Sequence, residues 1–496
     1  MILALDQGTT GSKALLIADD GKIVASRYRE FTQHFPQPGW VEHDADEIWE
    51  VTIGVAHEAL EAAGARGPDV KGIGITNQRE TVVVWERSSG EPLARAIVWQ
   101  DRRTTERCAE LTAAGHAPRV RELTGLTVDP YFSASKIEWL LQNVDGLAAR
   151  PAEEICFGTI DSWLAFKLTG RHVTDYTNAS RTMLFDINAL DWSDELCELF
   201  GVARASLPEV LPSQGEFGAT DPSIFGGAAI PLAGIAGDQQ AALFGQACFE
   251  PGLAKNTYGT GSFVLLNVGR KAPAPHEGLL NTIAWGAFGE VDYAFEASVF
   301  VAGAAVQWLR DGLGIVQQAG ETERLAASLD SNDGVYFVPA LVGLGSPHWD
   351  PEARGAIMGI TRGTTKAHLA RAALEAIAYQ TVDAVRAMEA SGTLQLDELR
   401  ADGGAVANSW LMQFQADVLG VPVVVPEVTE TTGFGAGLMA GVTSGVWQRS
   451  DLQGLVREAS RFEPQMTEST REALLGEWAA TVRSARERGT PHSVSF

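Results

Sequence analysis

Apolar runs at residues 2–5 and 14–17 flank the polar segment Asp6-Gln7-Gly8-Thr9-Thr10-Gly11-Ser12-Lys13, and Asp19-Asp20-Gly21 leads on into Ile23-Val24-Ala25. An Asp-Gly turn between apolar runs is a strong hairpin signal, so the chain is expected to open with an antiparallel meander. Asp44 and Glu47 have the spacing of a capping box, and behind them Ile48, Val51, Val55, Ala59 and Ala62 recur at helical spacing. Strand-like runs follow at residues 72–76, 81–85 and 96–99. A meander joined to a crossover helix predicts an α/β layer structure.

Near residue 250 the pattern begins again. Strand-like residues 253–258 run into Gly259-Thr260-Gly261-Ser262 and out through 263–267, followed by strand signals at 279–285 and 291–296 and a helix over 301–313. Both halves thus open with a strand, a Gly/Thr turn and a strand, either as an internal repeat of the whole unit or as a coincidence of two glycine-rich hairpins. The longest helix is expected over 364–390, with Leu374, Ile377, Ala378, Thr381, Val382, Val385 and Met388 as its buried stripe and Gly392 as its stop. Residues 203–232 have little periodicity and form an irregular excursion, and a final helix with a frayed end is expected after about residue 457.

At 496 residues the chain exceeds one ordinary hydrophobic core. Two units are expected, 1–248 with the small-molecule pocket and a first phosphate loop, and 249–496 with the rest of a nucleotide site. A formal net charge of −25 argues against wrapping nucleic acid, whereas backbone amides and a divalent cation can still hold one anionic nucleotide. Cys108, Cys156, Cys197 and Cys248 lie far apart and read as reduced core residues, and the nine histidines form no ligand cluster, so no zinc site is expected. Without a leader pattern or an apolar run of spanning length, a cytoplasmic protein with no membrane insertion is expected.

Three glycine turns are candidates for phosphate contact. In 6–13, Gly8 and Gly11 would let amides face an anion, Thr9, Thr10 and Ser12 add hydroxyls, Lys13 adds charge, and Asp6 stands where a hydrated Mg2+ is readily held. The alternative is a polar hairpin with no ligand. Gly259-Thr260-Gly261 repeats the phosphate logic, and Asp402-Gly403-Gly404-Ala405, before a helix starting near Asn408, suits close approach to a nucleoside. Gln78-Arg79-Glu80 offers a donor and an acceptor for hydroxyls, or else a surface ion pair. Asp238, in the otherwise uncharged stretch 228–248, is a general-base candidate and equally a helix N-cap. Trp99, Tyr131 and Phe263 either wall a substrate or belong to the core.

Several of these segments together resemble the glycerol kinases of the FGGY carbohydrate kinase family. They are Asp6-Gln7-Gly8-Thr9-Thr10, Gly74-Ile75-Thr76-Asn77-Gln78-Arg79-Glu80-Thr81, Ile97-Val98-Trp99-Gln100, Asp129-Pro130-Tyr131-Phe132-Ser133, Gly237-Asp238-Gln239-Gln240 and Asp402-Gly403-Gly404-Ala405-Val406-Ala407-Asn408. Thr174-Asp175-Tyr176-Thr177-Asn178-Ala179-Ser180-Arg181-Thr182 is similar as well, and residues 131–143 and 355–375 look like the two signature patterns of the wider family. The resemblance implies an α/β fold of two actin-like (ribonuclease H-like) domains, with ATP and substrate in the cleft between them, and a homodimer or homotetramer as the expected assembly. It implies that Arg79, Glu80, Tyr131, Asp238 and Gln239 hold glycerol between Trp99 and Phe263, with Asp238 as the catalytic base. Thr9, Thr10, Gly11, Lys13, Thr260, Gly303, Gln307, Gly404 and Asn408 would contact the nucleotide, and Asp6 and Asp238 would sit at Mg2+.

The chain also departs from the pattern. Many relatives have Ser and Arg where Gly11 and Lys13 stand, and lysine keeps the charge without the bidentate fork. Some relatives are inhibited by fructose 1,6-bisphosphate through a glycine loop ending in Arg, but the matching Phe225-Gly226-Gly227-Ala228-Ala229 has no basic residue. Others are activated by phosphorylation of a histidine in the excursion, and none lies between Val202 and Ala236. Neither control is expected. The rival readings are a kinase of another small polyol or ketose, and an actin-like ATPase that phosphorylates no small molecule.

Overall fold

The computed structural model describes residues 1–287, 289–391 and 394–489. Two mixed sheets share one strand plan. In the first, Ile2–Gln7, Gly11–Ile17 and Ile23–Glu30 form the antiparallel meander, and Gly72–Asn77 and then Pro231–Gly237 lie parallel to Ile2–Gln7 on its other side. In the second, Leu253–Tyr258 and Ser262–Gly269 form the antiparallel hairpin, and Glu290–Val299 pairs antiparallel beside it with the intervening strand Leu280–Ala287 at the outer edge. Glu398–Gly403 and Val423–Pro426 lie parallel beyond Leu253–Tyr258. The likeness of the two Gly/Thr hairpins therefore reflects a repeat of the whole sheet order, and the α/β architecture of two actin-like units is the one observed.

Alternation along the first strand sets the layers. Leu3 and Leu5 join the apolar cluster of helix Ala45–Ala62 through Ile48, Val55 and Ala59, while Ile2 and Ala4 face Phe434, Leu438 and Met439 on the opposite side. Those last three belong to helix Thr431–Thr443, which comes from the C-terminal half yet packs on the first sheet. It lies so close that a Cβ on Gly74 would come 2.2 Å from the Ala436 carbonyl oxygen.

Helix Thr431–Thr443 also meets helix Asp238–Gly245, each being the helix that follows the fifth strand of its sheet plan. The pair touches backbone to backbone, since a Cβ on Gly435 would lie 1.9 Å from the Ala241 oxygen and one on Gly245 would lie 2.1 Å from the Thr431 oxygen. Gly435→Ala sets a helix-propensity gain of about 1 kcal/mol against an overpacking penalty at the upper end of about 1–3 kcal/mol. The clash is expected to win, lowering the apparent thermal midpoint by about 4–8 °C. A midpoint unchanged by scanning calorimetry would show that the two helices part freely.

Elsewhere the local pattern was only partly right. Asp44 caps its helix by accepting from the Asp46 and Glu47 amides (3.0 and 3.1 Å), but Glu47 does not close a capping box. Its carboxylate instead accepts from Thr32 N and Oγ1 (3.0 and 2.9 Å). The strand expected over 96–99 ends at Ile97, because Val98 N donates to the Val41 carbonyl and Trp99 N to Thr81 Oγ1, turning Trp99 out of the ladder. The helix expected over 301–313 is α-helical only at Gly303–Gln307. It then widens into a π-turn at Trp308–Gly312, where the indole of Trp308 occupies the space a side chain at 312 would need.

The longest helix, Lys366–Ala390, buries the predicted stripe. Its expected stop, Gly392, lies outside the described residues, as does the end of the chain beyond helix Glu468–Gly489. The excursion is pinned by Glu209–Leu211, which pairs with Val173–Asp175, and by Gly218–Ala219, which pairs with Pro231–Gly237. Cys108, Cys156, Cys197 and Cys248 are all buried and unpaired, and among the described residues no helix is long and apolar enough to cross a membrane.

Candidate active site

Strand Gly72–Asn77 delivers Arg79 to the end of the first sheet with φ at 64°, left-handed backbone that a non-glycine residue seldom takes. Its guanidinium is almost wholly buried and held from several sides. Nη1 donates to Glu296 Oε2 (2.6 Å), and Nη2 donates to Glu296 Oε1 (3.1 Å) and to the Tyr131 hydroxyl (2.9 Å). Nε faces Asp238 Oδ1 at 3.1 Å, and the guanidinium carbon stands 5.9 Å from the centre of the Phe263 ring. Gly237 makes this possible, because a Cβ there would press on Arg79 Cγ and Cδ at 2.8 Å.

Glu80 is equally buried and accepts from Arg181 Nε (2.8 Å), while Arg181 Nη2 donates to Glu296 Oε1 (3.0 Å). Two arginines and two glutamates thus alternate in one buried network, so the expected Arg79-Glu80 pair is no surface ion pair. Burial pushes the Glu296 carboxyl up, but Arg181 and Arg79 outweigh it and hold it down at about 2. Burial likewise keeps the Tyr131 hydroxyl protonated, so it can accept from Arg79 and still donate to a ligand.

Trp99 and Tyr131 meet edge to face, with ring centres 5.5 Å apart. Trp99 Nε1 also donates to Thr9 Oγ1 (2.9 Å), tying the aromatic wall to the first glycine turn. Trp99, Tyr131 and Phe263 are each only partly buried, and Tyr131 also packs against the apolar core.

The two Gly/Thr turns close alike: Gly8 N donates to Gly11 O (2.9 Å) and Gly259 N to Gly261 O (2.8 Å). That bond occupies the Gly8 amide. Gly11 and Gly261 are small for another reason, since a Cβ on either would lie 2.5 Å from a carbonyl oxygen of the adjoining strand, that of Arg29 or Val299. Thr10 is exposed, with its hydroxyl 3.3 Å from the Tyr28 hydroxyl, and Lys13 pairs with Glu430 at the start of helix Thr431–Thr443. Beside the second turn, Thr260 O accepts from the Ala302 and Ala304 amides (2.9 and 3.0 Å), and Gly303 N donates to Gly259 O (3.0 Å). Gln307 is exposed one helical turn further on. Gly403, at φ 88°, packs against Tyr258 O and sets Gly404 beside the same turn with open space around it. The Asn408 side chain caps helix Ser409–Leu419, accepting from Leu411 N (2.9 Å).

Asp238 is the first residue of helix Asp238–Gly245, and the cap position falls to Gly237. Its Oδ1 accepts from Gln239 N (2.7 Å) and its Oδ2 from Gln239 Nε2 (3.1 Å), while the side chain stays 32% exposed. Asp6, on Ile2–Gln7, looks toward it. Burial pushes the Asp6 carboxyl up to about 7; Lys13 pulls it down, and Asp238 and Glu430 push it further up. A carboxyl so disfavoured as an anion suits a divalent cation. Among the described residues no group of three or more His, Cys, Asp and Glu side chains could hold a metal on its own, and an oxygen pair such as Asp6 and Asp238 fits Mg2+, which keeps water and phosphate ligands.

Glu296, Arg181, Lys255 and Glu430 were not singled out as site residues from the sequence. A signal was there for one of them: Lys255 is a lone charge inside a strand run, the same reasoning that marked Asp238, whereas Glu296 shares its strand with Glu290 and Asp292.

Comparison with known proteins bears on this geometry. Residues 1–245 match the N-terminal domain of the FGGY family of carbohydrate kinases, and residues 254–444 match its C-terminal domain. A glycerol kinase of Geobacter sp. (strain M21) is 57% identical over 486 residues, 97% of this chain and 98% of its own length. Glycerol kinase 2 of Thermotoga maritima is 54% identical over 485 residues, 97% of this chain and 98% of its own. Among solved structures, that of Plasmodium falciparum glycerol kinase with ADP superposes with a TM-score of 0.93 at 35% identity, covering 98% of both chains.

Proposed function

The chain belongs to the FGGY family of carbohydrate kinases, and we propose that it transfers the γ-phosphoryl group of ATP to a terminal hydroxyl of glycerol, giving sn-glycerol 3-phosphate and ADP. The observation that carries the substrate is the Arg79 guanidinium, locked by Glu296 and Tyr131 and facing Asp238 between aromatic walls. A donor so fixed, with Glu80 beside it as acceptor, reads a small neutral polyol by hydroxyl geometry rather than by charge. The bulk of Trp99, Tyr131 and Phe263 works against a longer ketose.

In this reading Arg79 and Glu80 fix two hydroxyls and Gln239 a third contact, which aims the remaining hydroxyl at the γ-phosphorus. Asp238 takes the proton as that oxygen forms its bond to phosphorus and the bond to the ADP oxygen breaks. Thr9, Thr10, Gly11 and Lys13 from residues 1–248, and Thr260, Gly303, Gln307, Gly404 and Asn408 from 249–496, hold the nucleotide. Mg2+ held at Asp6 and Asp238 would supply positive charge against the phosphates. The protein forms no covalent intermediate, so positioning and electrostatics carry the rate.

The test is ATP consumption with and without glycerol, and over dihydroxyacetone, glyceraldehyde, erythritol, xylulose and gluconate. Turnover that needs glycerol and exceeds that with the other polyols is expected. Turnover indifferent to all of them would favour an actin-like ATPase, and a preference for xylulose or gluconate would replace the substrate. The loop at residues 225–229 offers two glycines in left-handed backbone (φ 64° and 96° at Gly226 and Gly227) but no basic side chain. Millimolar fructose 1,6-bisphosphate is accordingly expected to leave the glycerol-dependent rate unchanged, and half-maximal inhibition below that concentration would show an anion site elsewhere.

A further inference from the structure

Lys255 is wholly buried in strand Leu253–Tyr258, at the side of the site, and the reaction as described leaves it without a task. Ala254 and Tyr258 of the same strand enter the apolar core, whereas the Lys255 ammonium faces helix Asp238–Gly245. It donates to Gln239 Oε1 and to Thr257 Oγ1, the latter at 2.9 Å.

An ammonium has donors only, so it turns the oxygen of the Gln239 amide toward itself. The amide nitrogen is thereby sent the other way, where Nε2 donates to Asp238 Oδ2 at 3.1 Å. The opposite orientation would set donor against donor at Lys255 and acceptor against acceptor at Asp238. A buried ammonium is costly, and a Met of similar length would fill the same space without that penalty. Burial pushes the Lys255 amine down to about 8, and Asp402, Asp238 and Glu296 draw it back up against Arg79.

We propose that Lys255 is a positioning residue for phosphoryl transfer, locking the Gln239 amide so that its NH2 group faces Asp238 and the polyol. The accepting carboxylate is then held by a three-membered chain, Lys255 to Gln239 to Asp238, that runs from the second sheet into the first helix of the site. The inference rests on the proposed role of Asp238. Its rival is a purely structural one, in which Lys255 only offsets the buried carboxylates Asp402 and Glu296.

A double-mutant cycle separates the two. Steady-state kcat, KM for ATP and glycerol, and thermal midpoint are measured for the wild type, Lys255→Met, Gln239→Leu and the double variant. Lys255→Met is expected to lower kcat by about 10–100-fold with KM for ATP changed less than about twofold, the signature of a misplaced reacting group. In the Gln239→Leu background the same change is expected to alter kcat by less than about threefold, because its target is gone. Losses that simply multiply, or a Lys255→Met enzyme within about twofold of the wild-type kcat, overturn the role. Where Lys255→Met fails to fold by circular dichroism, Gln239→Glu carries the test, since it keeps the partner of Lys255 and puts an oxygen in place of the NH2 group. A fall in kcat of at least about tenfold at an unchanged midpoint supports the role, and kcat within about twofold overturns it. A wild-type chain that consumes ATP without needing glycerol overturns the proposed function, and the role given to Lys255 with it.

Discussion

Asp238→Asn is expected to lower kcat by about 10²-fold or more while ATP binding changes by less than about twofold, because an amide of the same shape cannot take a proton. The local geometry makes the substitution a clean probe on one side and an informative one on the other. Oδ1 keeps both of its neighbours, Gln239 N at 2.7 Å and Arg79 Nε at 3.1 Å, so the amide oxygen will stay there. The new NH2 group then falls where Oδ2 accepts from Gln239 Nε2 at 3.1 Å, donor against donor. Gln239 cannot answer by turning over, since its oxygen is held by the Lys255 ammonium. The side chain must swing away, and a rise in KM for glycerol of a fewfold is expected alongside the fall in kcat. Single-turnover kinetics with pre-bound ATP separates these effects: a slow chemical step with normal nucleotide binding fits a lost base. Near-normal turnover would remove Asp238 from that role and leave it as a ligand of substrate only.

What could be read before the structure was whatever local spacing encodes. The opening meander, the helix behind Asp44 and the stripe from Leu374 to Met388 follow from turn chemistry and periodicity, and all three stand. The second hairpin was visible for the same reason, as Gly259-Thr260-Gly261 repeats the turn at Gly8. Arg79-Glu80 stood out as adjacent opposite charges after a strand and Asp238 as a charge in apolar company, and the family resemblance sharpened what they do. The partners of those charges were not legible. Glu296 stands 217 residues from Arg79 and Arg181 stands 101 from Glu80, and nothing local states which buried charge meets which. The misread elements share this cause. Glu47 had a local partner in Asp44 but is taken by Thr32, and Trp99 leaves its strand to reach Thr81 and Thr9. In each case a tertiary contact outbids a local preference, and at Trp99 it does so within the site, where local and global demands are expected to disagree.

Glu296→Gln is expected to damage stability and activity together. Glu296 is fully buried and hydrogen-bonds both guanidiniums, Arg79 through both of its oxygens (2.6 and 3.1 Å) and Arg181 through Oε1 (3.0 Å), whereas Glu80 bonds Arg181 and stands 3.6 Å from Arg79 Nε. Gln keeps the volume but removes the charge and turns an NH2 group toward one of two guanidiniums that have donors alone to offer. Removing one partner of a buried ion network costs about 3–5 kcal/mol, because the remaining charges stay buried without compensation. For a folding unit of about 250 residues, at about 2 °C per kcal/mol, that corresponds to a fall of about 6–10 °C in the apparent midpoint. The pH dependence gives the network its own signature. The Glu296 carboxyl is held down at about 2 from an ordinary value of 4.5, so its contribution is full above pH 4.5 and is lost as pH falls from there toward 2. The gap in midpoint between wild type and variant should therefore be constant near neutrality and close as the pH is lowered through that window. A gap that persists at the acid end would mean that the glutamate acts through shape and not through charge. The kinetic consequence follows from Arg79, whose left-handed backbone is kept only while its side chain is pinned. Released from Glu296, the guanidinium loses the orientation that reads the polyol, so KM for glycerol is expected to rise by at least about tenfold with KM for ATP nearly unchanged. Equal loss of affinity for both substrates would instead mark a general loosening of the cleft and would take Arg79 out of its place as the residue that selects glycerol.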